Sequence, residues 1–246
     1  MMLTYNPFKH MKRLLIIGYC VLACALLVHA KTYVVSIGIA DYPGTKSDLR
    51  LSDGDAITIK RLYEKNGGAE VEVLTNQQAT LQNVVFALQN LYAKATSDDT
   101  VVLFFSGHGV PGGFICYDGL LKYATIVKAM DNSDAGCKMV FADACFAGKA
   151  RKGNGGFQHS SSSDIMFFLS SRTAEKSLEK RNWKNSLFTA YLERGLRGGA
   201  DVNRDRQITA KELFDFVSKG VAQKSKGKQH PVMWGKFNND MAIMSW

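Results

Sequence analysis

The sequence predicts an α/β fold with a mainly parallel, six-stranded sheet covered by helices on both faces. Two observations favour it. Apolar and β-branched runs typical of buried strands alternate with segments whose apolar residues recur at helical spacing. Glycine-rich or polar stretches separate these segments, as in repeated strand–helix units, whose strands pair in parallel.

The first two strand–helix units fill the region up to residue 92. Thr32–Ile39 is almost entirely apolar and predicts a buried strand, and Asp55–Tyr63 carries apolar residues on one helical face. Gly67 and Gly68 end that helix. Glu70–Leu74 alternates as a second strand, and Leu81–Tyr92 has the spacing of a second amphipathic helix.

The middle of the chain continues the alternation. Thr100–Phe105 is continuously apolar, as expected of a strand covered on both faces. Glycines on either side of Phe114–Tyr117 predict a small hairpin, Tyr123–Met130 a helix and Lys138–Ala142 a fourth strand.

The last third supplies the remaining elements. Asp164–Leu169 predicts a fifth strand, and Ser186–Leu196 and Ala210–Val221 predict amphipathic helices. Pro231–Trp234 predicts a short final strand.

Residues 1–30 have the order of a secretory signal peptide. Basic residues precede an apolar run from Leu14 to Val28, which ends at Val28-His29-Ala30. We therefore expect cleavage after Ala30, export to the periplasm or the extracellular space, and no stable membrane span in the single domain at 31–246. A membrane anchor and lipid attachment at Cys24 are the alternatives.

Charge and cysteine content narrow the class of protein. The net charge is +9, but the basic residues are scattered among acidic ones, so nucleic-acid binding is not predicted. Three cysteines follow residue 30, an odd number that leaves a free thiol. Cys116 and Cys137 could form a disulfide, and Cys145 would then be the free thiol. The sequence leaves open whether the two cysteines pair.

Two short motifs carry the chemistry. Each comes directly after a predicted strand, and they contain His108 and Cys145. At the carboxyl ends of neighbouring strands, an imidazole can serve as the base for a thiol nucleophile. Backbone N–H groups of Gly109 and Cys145 could stabilise an oxyanion. A buried core thiol and an unreactive loop histidine are the alternatives.

The motifs Phe-Ser-Gly-His-Gly and Asp-Ala-Cys-Phe-Ala-Gly resemble the catalytic segments of caspase-like cysteine peptidases, particularly the metacaspases and bacterial caspase homologues. The resemblance implies a three-layer α/β/α sandwich, a His108–Cys145 dyad, peptide or protein substrates and no required cofactor. It leaves the oligomeric state unknown. It extends over further segments of the chain: Tyr33–Ile39, Asp55-Ala56, Phe167–Glu179, Phe188–Leu192 and Gln229–Pro231.

The same resemblance suggests the specificity. Metacaspases cleave after Arg or Lys, and Asp143 and Asp55 match acids of their pocket, with Ser106 as a further lining residue. Paired carboxylates suit a guanidinium group. Alternatively, Asp55 is an acid that stabilises the start of a helix.

An acidic loop predicts either a calcium site or a metal-free helix cap. Its candidate calcium ligands are Asp201, Asn203, Asp205, Gln207 and Glu212. However, Arg206 stands where an EF-hand-like loop requires glycine, and Thr209 with Glu212 has the spacing of a capping box.

A basic, glycine-rich stretch follows Cys145. Lys149, Arg151 and Lys152 would be self-cleavage sites if the pocket accepts basic residues, and a solvated loop is the alternative. The sequence as a whole predicts a secreted cysteine endopeptidase. A caspase-fold binding or regulatory module with little activity, or another thiol hydrolase, is the alternative.

Overall fold

The computed structural model describes residues 30–65, 68–144, 164–171 and 182–246. Residues 31–246 form one compact unit. Its helices are α1 (Ser52–Lys65), α2 (Leu81–Tyr92), α3 (Tyr123–Asp131), α4 (Leu187–Arg194) and α5 (Ala210–Lys224). Its strands are β1 (Thr32–Gly38), β2 (Ala69–Thr75), β3 (Thr100–Gly107), β4 (Gly109–Val110), β5 (Gly113–Ile115), β6 (Leu120–Lys122), β7 (Cys137–Ala144), β8 (Ile165–Leu169), β9 (Gln207–Thr209), β10 (Val232–Gly235) and β11 (Ala242–Ser245).

The central sheet has six strands in the order β10-β8-β7-β3-β1-β2. Neighbours from β8 to β2 pair in parallel, and β10 joins the edge in the antiparallel direction. The predicted mainly parallel sheet is confirmed. Its two central strands, β3 and β7, are those that precede the His and Cys motifs.

Helices cover both faces of the sheet and form two separate cores. On one face, α2 and α3 bury side chains such as Leu88 and Ile126 against alternate strand residues that include Phe105. On the other face, α1, α4 and α5 pack on the remaining strand residues, among them Phe104 and Phe141. This is the three-layer arrangement expected from the sequence.

Element bounds agree closely with the predictions, with instructive exceptions. Helix α2 begins and ends at the predicted residues, and the Thr80 side chain accepts a hydrogen bond from Asn83 N–H as its N-cap. The predicted hairpin is one part of a small three-stranded sheet, β4-β5-β6. Helix α4 ends earlier than predicted, because the chain turns at Gly195–Gly199, where Gly198 has a φ of 100°.

One feature was not predicted. Strands β9 and β11 pair as a two-stranded sheet outside the main one. Within the described ranges, no helix has both the length and the apolar character needed to cross a membrane.

Candidate active site

The register of the sheet aligns the ends of β3 and β7. Gly107 pairs with Ala144, and each is the last residue of its strand. His108 follows Gly107 in the chain, and Cys145 follows Ala144. Neighbouring strands lie about 4.8 Å apart. The residues that precede the predicted base and nucleophile are therefore partners across the two central strands.

Cys145 itself lies outside the described residues, as do the predicted self-cleavage residues Lys149, Arg151 and Lys152. The predictions made for these side chains, and for the backbone N–H of Cys145, stay predictions.

The half-buried His108 ring is oriented by a backbone carbonyl. Its Nε2 atom lies 2.6 Å from the Ser47 carbonyl oxygen. A carbonyl oxygen can only accept a hydrogen bond, so Nε2 carries the proton in this contact. In a neutral imidazole Nδ1 is then left with a lone pair, and it is the nitrogen that can take a proton from a nucleophile.

Tyr42, which the sequence analysis did not identify, contacts both the backbone and the ring of His108. The His108 N–H donates to the Tyr42 hydroxyl oxygen at 2.9 Å, and the same hydroxyl donates to the Ile115 carbonyl at 3.2 Å. The two rings are 4.8 Å apart between centroids. Burial raises the pKa of Tyr42 well above its ordinary value, so the hydroxyl keeps its proton. Tyr42 thus ties the base to strand β5.

Gly107 is required by this close packing. A Cβ atom at this position would lie 2.7 Å from the Tyr42 hydroxyl oxygen and 3.0 Å from the Phe105 ring. Any side chain here would displace the hydroxyl that holds His108. The glycine before the base therefore serves the contact with Tyr42.

His108 opens onto a surface cleft of about 560 Å³. Residues from the loop after β1 and from the β4-β5 region line it, including Tyr42, Ser47, His108, Gly109, Cys116 and Asp118. The cleft gives a substrate access to the imidazole.

The pairing of β4 with β5 shows which way the Gly109 N–H points. Ile115 N–H donates to the His108 carbonyl at 2.9 Å, so these two residues form a hydrogen-bonding pair of the β4-β5 ladder. The next pair is Gly109 with Phe114. Because hydrogen-bonding pairs alternate along antiparallel strands, the Gly109 N–H points away from β5.

The three predicted pocket residues meet on the α1 and α4 face of the sheet. Ser106 and Asp143 are register partners in β3 and β7, so their side chains project to the same side. Asp55 lies in the first turn of α1 and accepts a hydrogen bond of 2.9 Å from the Ser106 hydroxyl. The structure therefore brings Asp55, Ser106 and Asp143 together.

Asp55 is fully buried and is held by four donors. Besides Ser106, they are the Asn185 side-chain amide at 2.9 Å, the Ser186 N–H at 3.0 Å and the Ser186 hydroxyl. Asn185 and Ser186 come immediately before α4. Asp55 lies at the start of a helix, as the alternative role requires, and it is buried beside Asp143. Its role in a substrate pocket stays a prediction.

Asp143 is bound to the same helix. Its carboxylate accepts hydrogen bonds from the Thr189 N–H at 3.2 Å and from the Thr189 hydroxyl at 2.9 Å. Thr189 is in the first turn of α4, where unpaired N–H groups and the helix dipole favour negative charge. The sequence analysis did not identify Asn185, Ser186 or Thr189 as partners of the two carboxylates. Only Thr189 had a signal, because it belongs to the Phe-Thr segment of the family resemblance.

The environment of Asp55 changes its acidity. Burial and then the neighbouring negative charge of Asp143 raise the pKa of Asp55 to about 7, although the hydrogen bonds from Ser186, Asn185 and Ser106 act in the opposite direction. Two buried carboxylates in electrostatic contact form a site that a cationic group would stabilise.

The acidic loop before β9 is internally hydrogen-bonded. Asp201 accepts from the Arg206 N–H, and Asp205 accepts from the Gln207 N–H and from the Asn203 amide. Arg206, in the place of the usual glycine, has a left-handed φ of 65°. Among the described residues no group of three or more His, Cys, Asp or Glu side chains could hold a metal ion. Calcium binding stays a prediction.

The alternative role of this loop, a helix cap, is confirmed. The Thr209 side chain accepts from the Glu212 N–H, and the Glu212 carboxylate accepts from the Thr209 N–H. Glu212, one of the predicted calcium ligands, is therefore committed to the capping box of α5.

The open question of the cysteine pair is also resolved. Cys116 and Cys137 are both free thiols. Cys116 belongs to the core under α2 and α3, whereas Cys137 packs against the core on the opposite face of the sheet. No disulfide joins them.

Comparison with known proteins agrees with this geometry. The family model of the caspase domain matches residues 31–241. The chain belongs to the caspase-domain family. The match covers the unit described above except for its last residues, 242–246, which include strand β11.

Individual relatives point the same way. Metacaspase-4 of Arabidopsis thaliana is 30% identical over 141 residues, which are 46% of this chain and 33% of the metacaspase. The match spans about a third of the length of that relative. Among solved structures, caspase-1 of Spodoptera frugiperda superposes with a TM-score of 0.68 at 17% identity, covering 88% of this caspase domain chain and 90% of the other. Protein GSU0716 of Geobacter sulfurreducens gives a TM-score of 0.66, also at 17% identity, over 88% of this chain and 97% of its own.

Proposed function

We propose that this caspase-domain protein is an exported cysteine endopeptidase in which His108 and Cys145 act as a catalytic dyad and which cleaves after Arg or Lys. The observation that supports the proposal is the pairing of Gly107 with Ala144, because these residues directly precede His108 and Cys145 in the chain. Membership of the family supports a peptide or protein substrate.

The proposed reaction begins with proton transfer. Nδ1 of His108 takes the proton of the Cys145 thiol, and the thiolate attacks the carbonyl carbon of the scissile peptide bond. The negative charge that develops on the carbonyl oxygen is stabilised by the N–H groups of Gly109 and Cys145, each worth about 3 kcal/mol.

The second half of the reaction releases both products and regenerates the free enzyme. Protonated His108 donates its Nδ1 proton to the leaving amine as the C–N bond breaks, which leaves a thioester on Cys145. Water then gives a proton to Nδ1 and its oxygen attacks the thioester. The carboxylic acid product leaves as the sulfur recovers a proton. Ser47 and Tyr42 hold the ring throughout, since both contact parts of His108 that do not react.

The preference for Arg or Lys rests on the acidic cluster. Asp55 and Asp143 offer buried carboxylate oxygens close to the strand ends, and Ser106 adds a hydroxyl beside them. Burial and then the charge of Asp143 raise the pKa of Asp55, and a guanidinium or ammonium group would offset that charge. An acidic side chain would add a further negative charge to this buried acidic site, so such a pocket rejects it.

Fluorogenic peptides that end in Arg, Lys, norleucine or Asp test the proposal. Wild type should turn over the Arg and Lys peptides, and Cys145→Ala and His108→Ala should each reduce kcat/KM by at least a thousandfold. Cys137→Ala is the matched thiol control and should keep full activity, because Cys137 lies at the opposite end of β7. Equal activity of wild type and Cys145→Ala would refute the dyad. A preference for Asp would refute only the role of the acids.

Self-cleavage follows from the same specificity. Lys149, Arg151 and Lys152 come between Cys145 and β8, and cleavage there would divide the chain without removing a described strand or helix. Mass spectrometry of wild type, incubated beside Cys145→Ala, should find new ends at these residues in wild type alone.

A further inference from the structure

Asp99 is a buried carboxylate at the amino edge of the sheet, the edge opposite His108. It is 5% exposed and directly precedes β3. One carboxylate oxygen accepts from the Thr96 N–H at 2.8 Å and from the Thr96 hydroxyl at 2.9 Å. The other accepts from the backbone N–H of Lys31 at 2.7 Å.

Lys31 is fixed on both sides of its α-carbon. Its carbonyl oxygen accepts from the Thr100 N–H at 2.8 Å, while its own N–H reaches Asp99. Since Thr32 is the register partner of Thr100, Lys31 and Asp99 occupy the next position of the β1-β3 pairing. The Lys31 nitrogen is therefore held in place by the sheet itself.

Asp99 lacks a close cationic partner in the part of the chain that the structure describes. No Lys, Arg or His side chain there forms a salt bridge with it. Desolvation opposes ionisation, but the hydrogen bonds from Thr96 and Lys31 outweigh it and lower the pKa of Asp99, so the group is charged. A buried carboxylate held only by neutral donors gains stability when one donor becomes a cation.

We propose that Asp99 is a binding site for the α-ammonium group of Lys31, which hydrolysis of the Ala30–Lys31 peptide bond creates. The proposal rests on the expected cleavage after Ala30 and is independent of the peptidase activity. Ala30 is exposed, and the caspase family match begins at residue 31. The nitrogen that would become the ammonium group already lies 2.7 Å from the carboxylate.

Hydrolysis converts the hydrogen bond between a neutral N–H group and the Asp99 carboxylate into an ion pair. A leader peptidase adds the water oxygen to the Ala30 carbonyl carbon and a hydrogen to the Lys31 nitrogen as the C–N bond breaks. At neutral pH the new carboxylic acid loses its proton and the amine takes one up, giving a carboxylate on Ala30 and an ammonium on Lys31. The amino terminus of the processed chain is thereby fixed to the sheet between β1 and β3.

Among the charged groups around this site, Asp99 is the one that would bind the ammonium group. The side chain of Lys31, the residue before β1, also acts on Asp99 electrostatically and helps to lower its pKa. Asp98, in the same turn, is exposed to solvent. Lys138 on β7 interacts with Asp131, Asp134 and Asp164 instead.

The ion pair makes the stability of the processed chain depend on pH. Asp99 raises the α-amino pKa of the folded chain above its ordinary value of about 8. While Asp99 is ionised, the stabilisation is fully present below about pH 8 and is lost as pH rises through the raised folded value; in acid it is lost as Asp99 takes up a proton.

The test uses the exported protein made from the full chain, whose first residue is read by mass spectrometry. We expect Lys31. The α-amino group is then labelled by ¹³C-dimethylation, and its pKa is measured by NMR. It should be at least one unit above about 8, a tenfold change in proton affinity. A second preparation that begins at Ala30 should show an ordinary α-amino pKa.

Two variants separate the ion pair from general effects on folding. Asp99→Asn should return the Lys31 α-amino pKa to about 8, and Asp98→Asn should leave it raised. If Asp99→Asn does not fold, the preparation that begins at Ala30 still decides the question. An ordinary pKa in the chain that begins at Lys31, or a first residue other than Lys31, would overturn the proposal.

Discussion

Binding of an arginine side chain between Asp55 and Asp143 should release a proton. The folded chain holds Asp55 in a buried site beside another carboxylate, and its pKa is raised from 3.8 to about 7. A guanidinium group placed against the pair stabilises the ionised form and lowers that pKa again. The ligand therefore displaces the proton that Asp55 carries in the free protein.

The size of the effect follows from this pKa. If the bound pKa lies well below 5, about 0.9 proton should be released per ligand at pH 6, about 0.5 at pH 7 and about 0.1 at pH 8. The affinity should fall about fiftyfold between pH 7 and pH 5, because the ligand must then compete with a proton for the pocket.

Isothermal titration calorimetry measures this release directly. The Cys145→Ala variant is titrated with a tetrapeptide amide ending in arginine, in two buffers that differ in ionisation enthalpy. The difference between the two observed enthalpies gives the number of protons. The same peptide ending in norleucine is the ligand control, and Asp55→Asn is the protein control; neither should release protons.

Tight binding of the arginine peptide at pH 6 without proton release would refute the reasoning, because Asp55 would then be ionised before the ligand arrives. Proton release by Asp55→Asn would equally show that another group titrates.

Further predictions concern single contacts. Tyr42→Phe should lower kcat about tenfold to a hundredfold with little change in KM, since the His108 N–H and the Ile115 carbonyl lose their partner. Steady-state kinetics check this, with Tyr63→Phe as the control because Tyr63 lies in the core on the opposite face of the sheet. Thr209→Ala should lower the free energy of unfolding by about 1 kcal/mol in urea titrations, because α5 loses its capping box. Neutral Asp55 favours the folded state, so wild type should lose stability as pH rises from about 4 through about 7; a melting-temperature profile of Asp55→Asn should lack this decline.

The sheet and its helices could be predicted because their signals are local. Helix α2 is bounded as expected, since Thr80 marks its start and apolar residues recur along one face. By contrast, β9 and β11 are short strands whose partners lie more than thirty residues apart, and neither has a pattern of its own. Their pairing depends on tertiary contacts that no window of sequence contains.

The candidate site divides in the same way. His108 could be identified because a reactive residue between glycines follows an apolar strand. The Ser47 carbonyl that orients it has no sequence signature, since every residue has a carbonyl group. The donors to Asp55 escaped prediction for a related reason: Asn185 is 130 residues away in the chain, and an amide side chain before a helix is common in any fold.

The acidic cluster has a consequence for fragments of this chain. Asp55, Ser106 and Asp143 come before residue 145, whereas Asn185, Ser186 and Thr189, which bind them, come after residue 163. In a chain divided between these points, the first part holds the two carboxylates and the second part holds the donors that fix them. The two parts, expressed separately, should therefore bind an arginine ligand only after they are mixed. We expect them to reassociate through the pairing of β7 with β8.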